Sequence, residues 1–196
     1  PVGIVVLALS ISQAASPRSA GRKYAEALEI PYPAVIAHRG LSYWAPEETK
    51  AAFLLAREIG ADYLEADIQR TKDGVLIALH DDTLERTTNA YELFPERKGK
   101  GPEAFTWSEI QKMDAGTWFN RTNPDRARPS YPGLKILRLE EMIDIAESGT
   151  NRPGIYLETK EAHRFPGYEK EIVALLRRRG WIDGQPDARR RAPAER

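Results

Sequence analysis

Cysteine is absent from the 196 residues, which excludes a disulfide framework and any cysteine-ligated metal site. An excess of one charge is missing as well. The 29 lysines and arginines are matched by 29 aspartates and glutamates, so the broad cationic surface that nucleic-acid binding needs is excluded. The apolar run Val2 to Ile11 is ten residues long, half of the ~20 that cross a bilayer as a helix, so no stable membrane span is expected. Histidine is scarce, and His38, His80 and His163 can be weighed one by one. What is present is an ordinary globular composition, 41% hydrophobic with 14 glycines, which excludes a mostly disordered chain.

The two ends differ from the middle. Val2 to Ile11 has the character of a signal-peptide core, and Ser12-Gln13-Ala14 supplies small residues at the two positions a signal peptidase inspects. Residues 1–30 are therefore expected to be a signal-peptide remnant and linker, and the protein to be exported, to a periplasm or the extracellular space. Arg177 to Arg196 carries seven arginines against three acids, which leaves the body mildly acidic. Within that stretch residues 183–196 show no periodicity and are rich in arginine, proline and alanine, as a disordered tail would be.

Between Pro33 and Trp181 apolar strands alternate with amphipathic helices, the pattern of an α/β domain on a parallel sheet. Ala34 to His38 reads as a buried strand stopped by Gly40. A helix is expected from Pro46 to Ile59, with Ala52, Leu55, Ala56 and Ile59 on one face and Gly60 at its end. Tyr63 to Gln69 reads as a strand whose Leu64, Ala66 and Ile68 face one way and whose Glu65 and Asp67 face the other. Further on, Thr106-Trp107-Ser108-Glu109 is a capping-box signature, and Leu139, Met142, Ile143 and Ala146 mark a helix closed by Gly149. Ile155 to Lys160 reads as a strand with Tyr156, Glu158 and Lys160 on one face, followed by a helix on Tyr168, Ile172, Leu175 and Leu176 that ends at Gly180.

Val75 to His80 is also a strand, but four residues are too few for a parallel crossover, so it pairs as an antiparallel hairpin. With Asp73-Gly74 as a two-residue turn, Lys72 pairs with Val75 and Asp67 falls directly opposite His80. The segment from Thr83 to about Arg138 is too long for a plain loop and is expected to cover a functional site. Its aromatics Trp107, Trp118 and Phe119, like Trp44 before it, either line a substrate mouth or, more commonly, pack the loop down.

His38, Arg39, Glu65, Asp67, His80, Glu158 and Lys160 all fall near the C-terminal ends of strands or on the hairpin that returns there, where barrel active sites lie. Three carboxylates offer hard oxygen ligands that suit Mg²⁺ or Ca²⁺ better than zinc. Two imidazoles beside such an ion can act as general base and general acid, because their ordinary pKa admits both protonation states at neutral pH. Arg39 and Lys160 can hold an anion such as phosphate, the favoured reading, although a basic residue beside carboxylates is often only their ion-pair partner. The set reads as metal-assisted phosphoryl chemistry. His163 belongs to no such group and reads as a surface loop residue.

The ordered series His38-Arg39-Gly40, Pro46-Glu47-Glu48-Thr49, Glu65-Ala66-Asp67, Thr71-Lys72-Asp73-Gly74, His80-Asp81, Trp118-Phe119-Asn120, Leu139-Glu140-Glu141 and Glu158-Thr159-Lys160 resembles the glycerophosphodiester phosphodiesterase family over residues 34 to 181. The resemblance implies a TIM-type (β/α)8 barrel of the phospholipase-C-like phosphodiesterase kind, with residues 31–182 as its N-terminal part. It implies Ca²⁺ or Mg²⁺ bound by Glu65, Asp67 and Glu158, with His38 and His80 as the acid and base and Arg39 and Lys160 on the substrate phosphate. The implied substrate is a small glycerophosphodiester, split to glycerol 3-phosphate and an alcohol by way of a cyclic phosphate.

Glu48 stands where the family motif commonly has asparagine, and a change in hydrogen bonding around the first loop is expected there. About three barrel strands and one hairpin are visible where eight strands are implied, so the barrel is expected to be incomplete in this chain. Two other readings stay open: a phospholipase D or sphingomyelinase of the same barrel type, and an inert fragment that keeps the motifs without the activity.

Overall fold

The computed structural model describes residues 20–182, so the apolar run at the start and the arginine-rich tail lie outside the described residues. The chain forms two compact units, divided after Ala34. The described part of the first, residues 20–34, holds the helix α1, Ala20–Ala27, none of whose residues is buried. Among the described residues no helix is long and apolar enough to cross a membrane.

The second unit begins with β1 (Ile36–Ala37), α2 (Lys50–Glu58), β2 (Tyr63–Arg70) and β3 (Leu76–Ala78). Three short helices follow, α3 (Ala90–Leu93), α4 (Trp107–Ile110) and α5 (Thr117–Thr122), and then α6 (Leu139–Glu147), β4 (Gly154–Thr159) and α7 (Tyr168–Arg178). Strand β2 is the centre of the sheet. On one edge it carries β1 in parallel, Ile36 beside Tyr63, and β3 antiparallel, Ile68 beside Ala78. On the other edge it carries β4 in parallel, from Tyr63 beside Gly154 to Ile68 beside Thr159. The order β1, β2, β4 with helices between is the start of a β/α barrel, so the α/β expectation holds.

Alternation along β2 decides where the core lies. Leu64, Ala66 and Ile68 are fully buried against Phe53 and Ala56 of α2, Met142 and Ile143 of α6, and Ile172 and Leu175 of α7. Each large side chain buried there contributes about 1.5–3 kcal/mol, which holds the three helices to one face of the sheet. Glu65, Asp67 and Gln69 are thereby directed to the opposite face. Past β4 no strand pairs among the described residues. Its outer flank, with α7, forms an apolar groove of about 360 Å³ lined by Ile155, Leu157, Ile172, Leu176 and Trp181.

Two expectations need correction. Helix α2 starts at Lys50 and not Pro46, because Glu48 has a left-handed φ of 56° and Thr49 is extended. The hairpin pairs Arg70 with Leu76, and the Thr71 N–H donates to the Val75 carbonyl at 2.9 Å. The loop is therefore Lys72-Asp73-Gly74, with Gly74 at φ 87° as the left-handed residue that a three-residue hairpin loop requires. One residue of extra loop shifts the register by one, and Asp67 faces Leu79, whose N–H donates to the Asp67 carbonyl at 2.8 Å. His80 lies one residue beyond.

The segment 83–138 is, as its length suggested, no plain loop. It has a core of its own, in which Leu84, Ala90, Phe105, Ile110 and Met113 pack against Ile77 and Leu79 of the hairpin. The expected capping box of α4 is formed, with the Thr106 N–H donating to Glu109 at 2.9 Å. Trp118, Phe119 and Tyr131 pack edge to face, whereas Trp44 and its neighbour Tyr43 remain exposed. His163 is exposed, as expected of a surface loop residue.

Candidate active site

The turn after β1 carries His38, Arg39 and Gly40. Gly40 has φ 77°, and a Cβ there would lie 2.7 Å from the Ala52 backbone, so only glycine lets this turn rest on α2. Arg39 is itself left-handed at φ 56°. That geometry aims its backbone N–H at Glu65 Oε2, 2.6 Å away, while its side chain crosses the face of β2. Arg39 Nε lies 3.2 Å from Asp67 Oδ2, and Nη1 donates to Glu47 Oε1 at 3.0 Å.

Register does the same work at β4. Asp67 and Glu158 are direct partners in the parallel ladder, so their side chains leave the sheet on one face. Carboxylate oxygens of Glu65, Asp67 and Glu158 all lie within 4.8 Å of one another. Lys160 completes the rim, with Nζ 2.8 Å from Glu158 Oε1 and 3.6 Å from Asp67 Oδ1.

The electrostatics of the three acids differ. Burial pushes the Asp67 carboxyl above the ordinary range, and the charges of Lys160, His80 and Arg39 only partly offset it. Burial also raises Glu65, against the hydrogen bond from the Arg39 N–H and with the charge of Asp67 adding to it. Glu158 is more exposed and is held below its usual value, chiefly by the hydrogen bond from Lys160, whose own pKa that bond raises. Both oxygens of Asp67 are buried and accept no hydrogen bond. Arg39 and Lys160 stand at ion-pair distance from it, but a buried carboxyl whose lone pairs accept no hydrogen bond is costly unless a cation fills the gap. Three hard carboxylates around such a gap fit a divalent cation.

Five of the seven residues expected at the site, Arg39, Glu65, Asp67, Glu158 and Lys160, are in mutual contact, and the two histidines lie near enough to act on the charges of the acids. Glu65 feels the charge of His38, and Asp67 and Glu158 both feel that of His80. His80 arrives although the register that first placed it opposite Asp67 is wrong. The chain beyond β3 is instead fixed by the buried amide of Gln69, which donates to the carbonyls of Leu79 and Asp81, both at 2.8 Å.

Of four further neighbours, Glu47, Asp81 and Arg86 were given no role by the sequence, and Glu48 only an effect on the hydrogen bonding of the first loop. Glu48 is buried and accepts the Asp67 N–H at 2.7 Å, while its own N–H donates to the Arg39 carbonyl at 3.0 Å. Burial, with the charge of Asp67 adding to it, pushes its carboxyl far above the ordinary range. Asp81 Oδ1 meets His80 Nδ1 at 2.7 Å, and Arg86 bridges Asp81 and Glu47. Glu47, Glu48 and Asp81 sit inside the motifs quoted above, but Arg86 lies in the long segment with no periodic or motif signal to mark it.

The sequence model of the glycerophosphoryl diester phosphodiesterase family matches residues 38–187, most of the chain. The chain belongs to this family. Among curated relatives, a glycerophosphodiester phosphodiesterase of Bacillus subtilis is 40% identical over 143 residues, which is 73% of this chain and 45% of the relative. A glycerophosphodiester phosphodiesterase of Caldanaerobacter subterraneus is 37% identical over 145 residues, 73% of this chain and 52% of the relative. The chain thus spans about half the length of these members of the phosphodiesterase family.

Solved structures agree. The crystal structure of glycerophosphodiester phosphodiesterase from Agrobacterium tumefaciens superposes with a TM-score of 0.57 at 35% identity, covering 74% of this chain and 52% of that one. An Oleispira antarctica phosphodiesterase, solved in complex with the product sn-glycerol-3-phosphate, gives 0.58 at 31% identity over 79% of this chain and 54% of that one. The family supplies the barrel architecture, of which β1, β2 and β4 are three strands.

Proposed function

We propose that this site carries out cation-dependent cleavage of a glycerophosphodiester to glycerol 3-phosphate and an alcohol. The observation that carries this reading is the convergence of Glu65, Asp67 and Glu158, with both oxygens of Asp67 buried and accepting no hydrogen bond. Family membership and the product held by the Oleispira enzyme support the substrate class.

Charge balance supports it as well. Three carboxylates face two cations, Arg39 and Lys160, leaving a net charge of −1 when all are ionised. A divalent ion turns that into +1, which one phosphodiester anion neutralises. Glu65, Asp67 and Glu158 would hold Ca²⁺ or Mg²⁺, which when bound supplies Lewis-acid polarisation and eases ionisation of a substrate hydroxyl. Arg39 and Lys160 bind the non-bridging phosphate oxygens. His38 and His80 form the acid/base pair: one accepts the proton of the attacking glycerol hydroxyl and the other returns one to the departing alkoxide, and water then opens the cyclic phosphate to glycerol 3-phosphate with the two roles exchanged. We also read Val2 to Ile11 as an export signal for this activity.

The test is an assay of the purified chain on glycerophosphocholine with Ca²⁺, with Mg²⁺ and with chelator. Release of glycerol 3-phosphate that needs a cation and is abolished in His80→Ala is the expected result. Turnover of lysophospholipid in preference would favour a phospholipase D reading, and no turnover of either would favour the inert fragment.

A further inference from the structure

Arg86 occupies an unusual position for a surface arginine. Its Nε and Nη2 donate to the two oxygens of Asp81 at 2.5 and 2.8 Å, and its Nη1 and Nη2 donate to the two oxygens of Glu47 at 2.9 and 2.7 Å. One planar fork therefore fixes two carboxylates at once, which a lysine ammonium cannot do. Behind it, the Trp118 ring lies 5.6 Å from the guanidinium carbon, and Trp118 is itself tied by its indole N–H to the Ala115 carbonyl at 3.0 Å.

The carboxylate at the near end of this clamp contacts His80, with Asp81 Oδ1 2.7 Å from Nδ1. Burial pushes Asp81 up, but the hydrogen bonds and charges of Arg86 and His80 outweigh it and hold the carboxyl below its ordinary range, so Asp81 is ionised at neutral pH. An ionised carboxylate only accepts, and the proton between the two must belong to Nδ1. The backbone on both sides of His80 is already pinned by Gln69. What remains free is rotation of the His80 ring and of the Asp81 carboxylate, and the Arg86 fork removes the second.

We propose that Arg86 is a positioning residue which, by fixing Asp81, holds His80 in the tautomer protonated on Nδ1 and leaves Nε2 as the nitrogen that exchanges protons with substrate. This rests on the reading of His80 as a proton-transfer group. A surface ion pair of purely structural value would leave the tautomer untouched when removed.

The test is nitrogen NMR of the ring atoms of His80 in the labelled full chain, at a pH where the ring is neutral, with glycerophosphocholine turnover measured in parallel. Wild-type protein is expected to show the proton on Nδ1 alone. Arg86→Gln is expected to give a mixture of both tautomers, and so is Arg86→Lys, which keeps the positive charge for folding but cannot span both carboxylates. Retention of the Nδ1 tautomer in either folded variant, or an Nε2 proton in the wild type, overturns the proposal. Absent turnover, with the tautomer held in wild type and lost in the variants, sinks the phosphodiesterase reading and with it the proton exchange at Nε2, and leaves standing only the control of the His80 tautomer by Arg86 through Asp81.

Discussion

Asp67 and Glu158 are partners across the β2–β4 ladder, yet they sit in opposite environments: Asp67 is wholly buried with its pKa raised by burial, and Glu158 is half-exposed with its pKa lowered by Lys160. Cation binding should therefore depend on them unequally. Removing a group that merely supports a ligand costs 10–100-fold in affinity, so Asp67→Asn is expected to weaken Ca²⁺ binding by more than ~100-fold and Glu158→Gln by about 10-fold. Calorimetric titration of the chain measures both, and wild-type affinity in the two variants would remove the cluster as the cation site.

Glu48 supplies a prediction in pH. Its carboxyl is protonated in the fold well above the ordinary glutamate value, so the folded state keeps a proton that the unfolded chain releases. The stability of wild type relative to Glu48→Gln is accordingly greatest below pH ~4.3 and falls as pH rises toward the raised native pKa. Glu48→Ala leaves the buried Asp67 N–H without an acceptor and is expected to cost about 1–3 kcal/mol below pH ~4.3, a gap that narrows as pH rises. Denaturant melts at a series of pH values read all three proteins, and a Glu48→Gln curve parallel to wild type would contradict the buried neutral acid.

Gly40→Ala should unseat the turn that carries His38. A left-handed alanine costs 1–2 kcal/mol and its Cβ would clash with the Ala52 backbone, so a loss of about 2–4 kcal/mol is expected by urea denaturation. A loss below 1 kcal/mol would mean that α2 can move away without cost.

Asp114 governs the start of α5. It accepts the N–H groups of Gly116, Thr117 and Gly133 at 2.7, 2.8 and 2.9 Å and the Thr117 hydroxyl at 2.7 Å. Burial raises its pKa, but these bonds outweigh it and hold the carboxyl below the ordinary range. Its contribution is present above pH ~4 and lost as pH falls through the depressed native value. Asp114→Ala is expected to cost about 1–3 kcal/mol at neutral pH, with the gap to wild type closing in acid.

Much of the candidate site was legible because it is written in strand alternation, which fixes faces without knowledge of distant contacts. Glu65 and Asp67 needed only the apolar Leu64, Ala66 and Ile68 between them. The hairpin register was not legible, since Asp73-Gly74 serves a two-residue or a three-residue loop equally well and the choice shifts every partner by one. Thr71 decides it, its hydroxyl accepting the Val75 N–H at 2.9 Å and donating to Asp73 at 2.7 Å. Arg86 was invisible for another reason: its partners lie 5 and 39 residues away, and nothing local selects them. The core of the long segment was missed likewise, because its apolar residues are scattered over short helices that none of the usual periods describes.

The tether from position 39 to Glu65 is made by the main chain and not by the guanidinium. Every residue except proline carries that donor, and asparagine tolerates the same left-handed backbone. Swapping Arg39 for asparagine would thus remove the side-chain ion pairs to Asp67 and Glu47 while the main-chain tether to Glu65 stays, so the two buried acids of β2 answer to different parts of one residue.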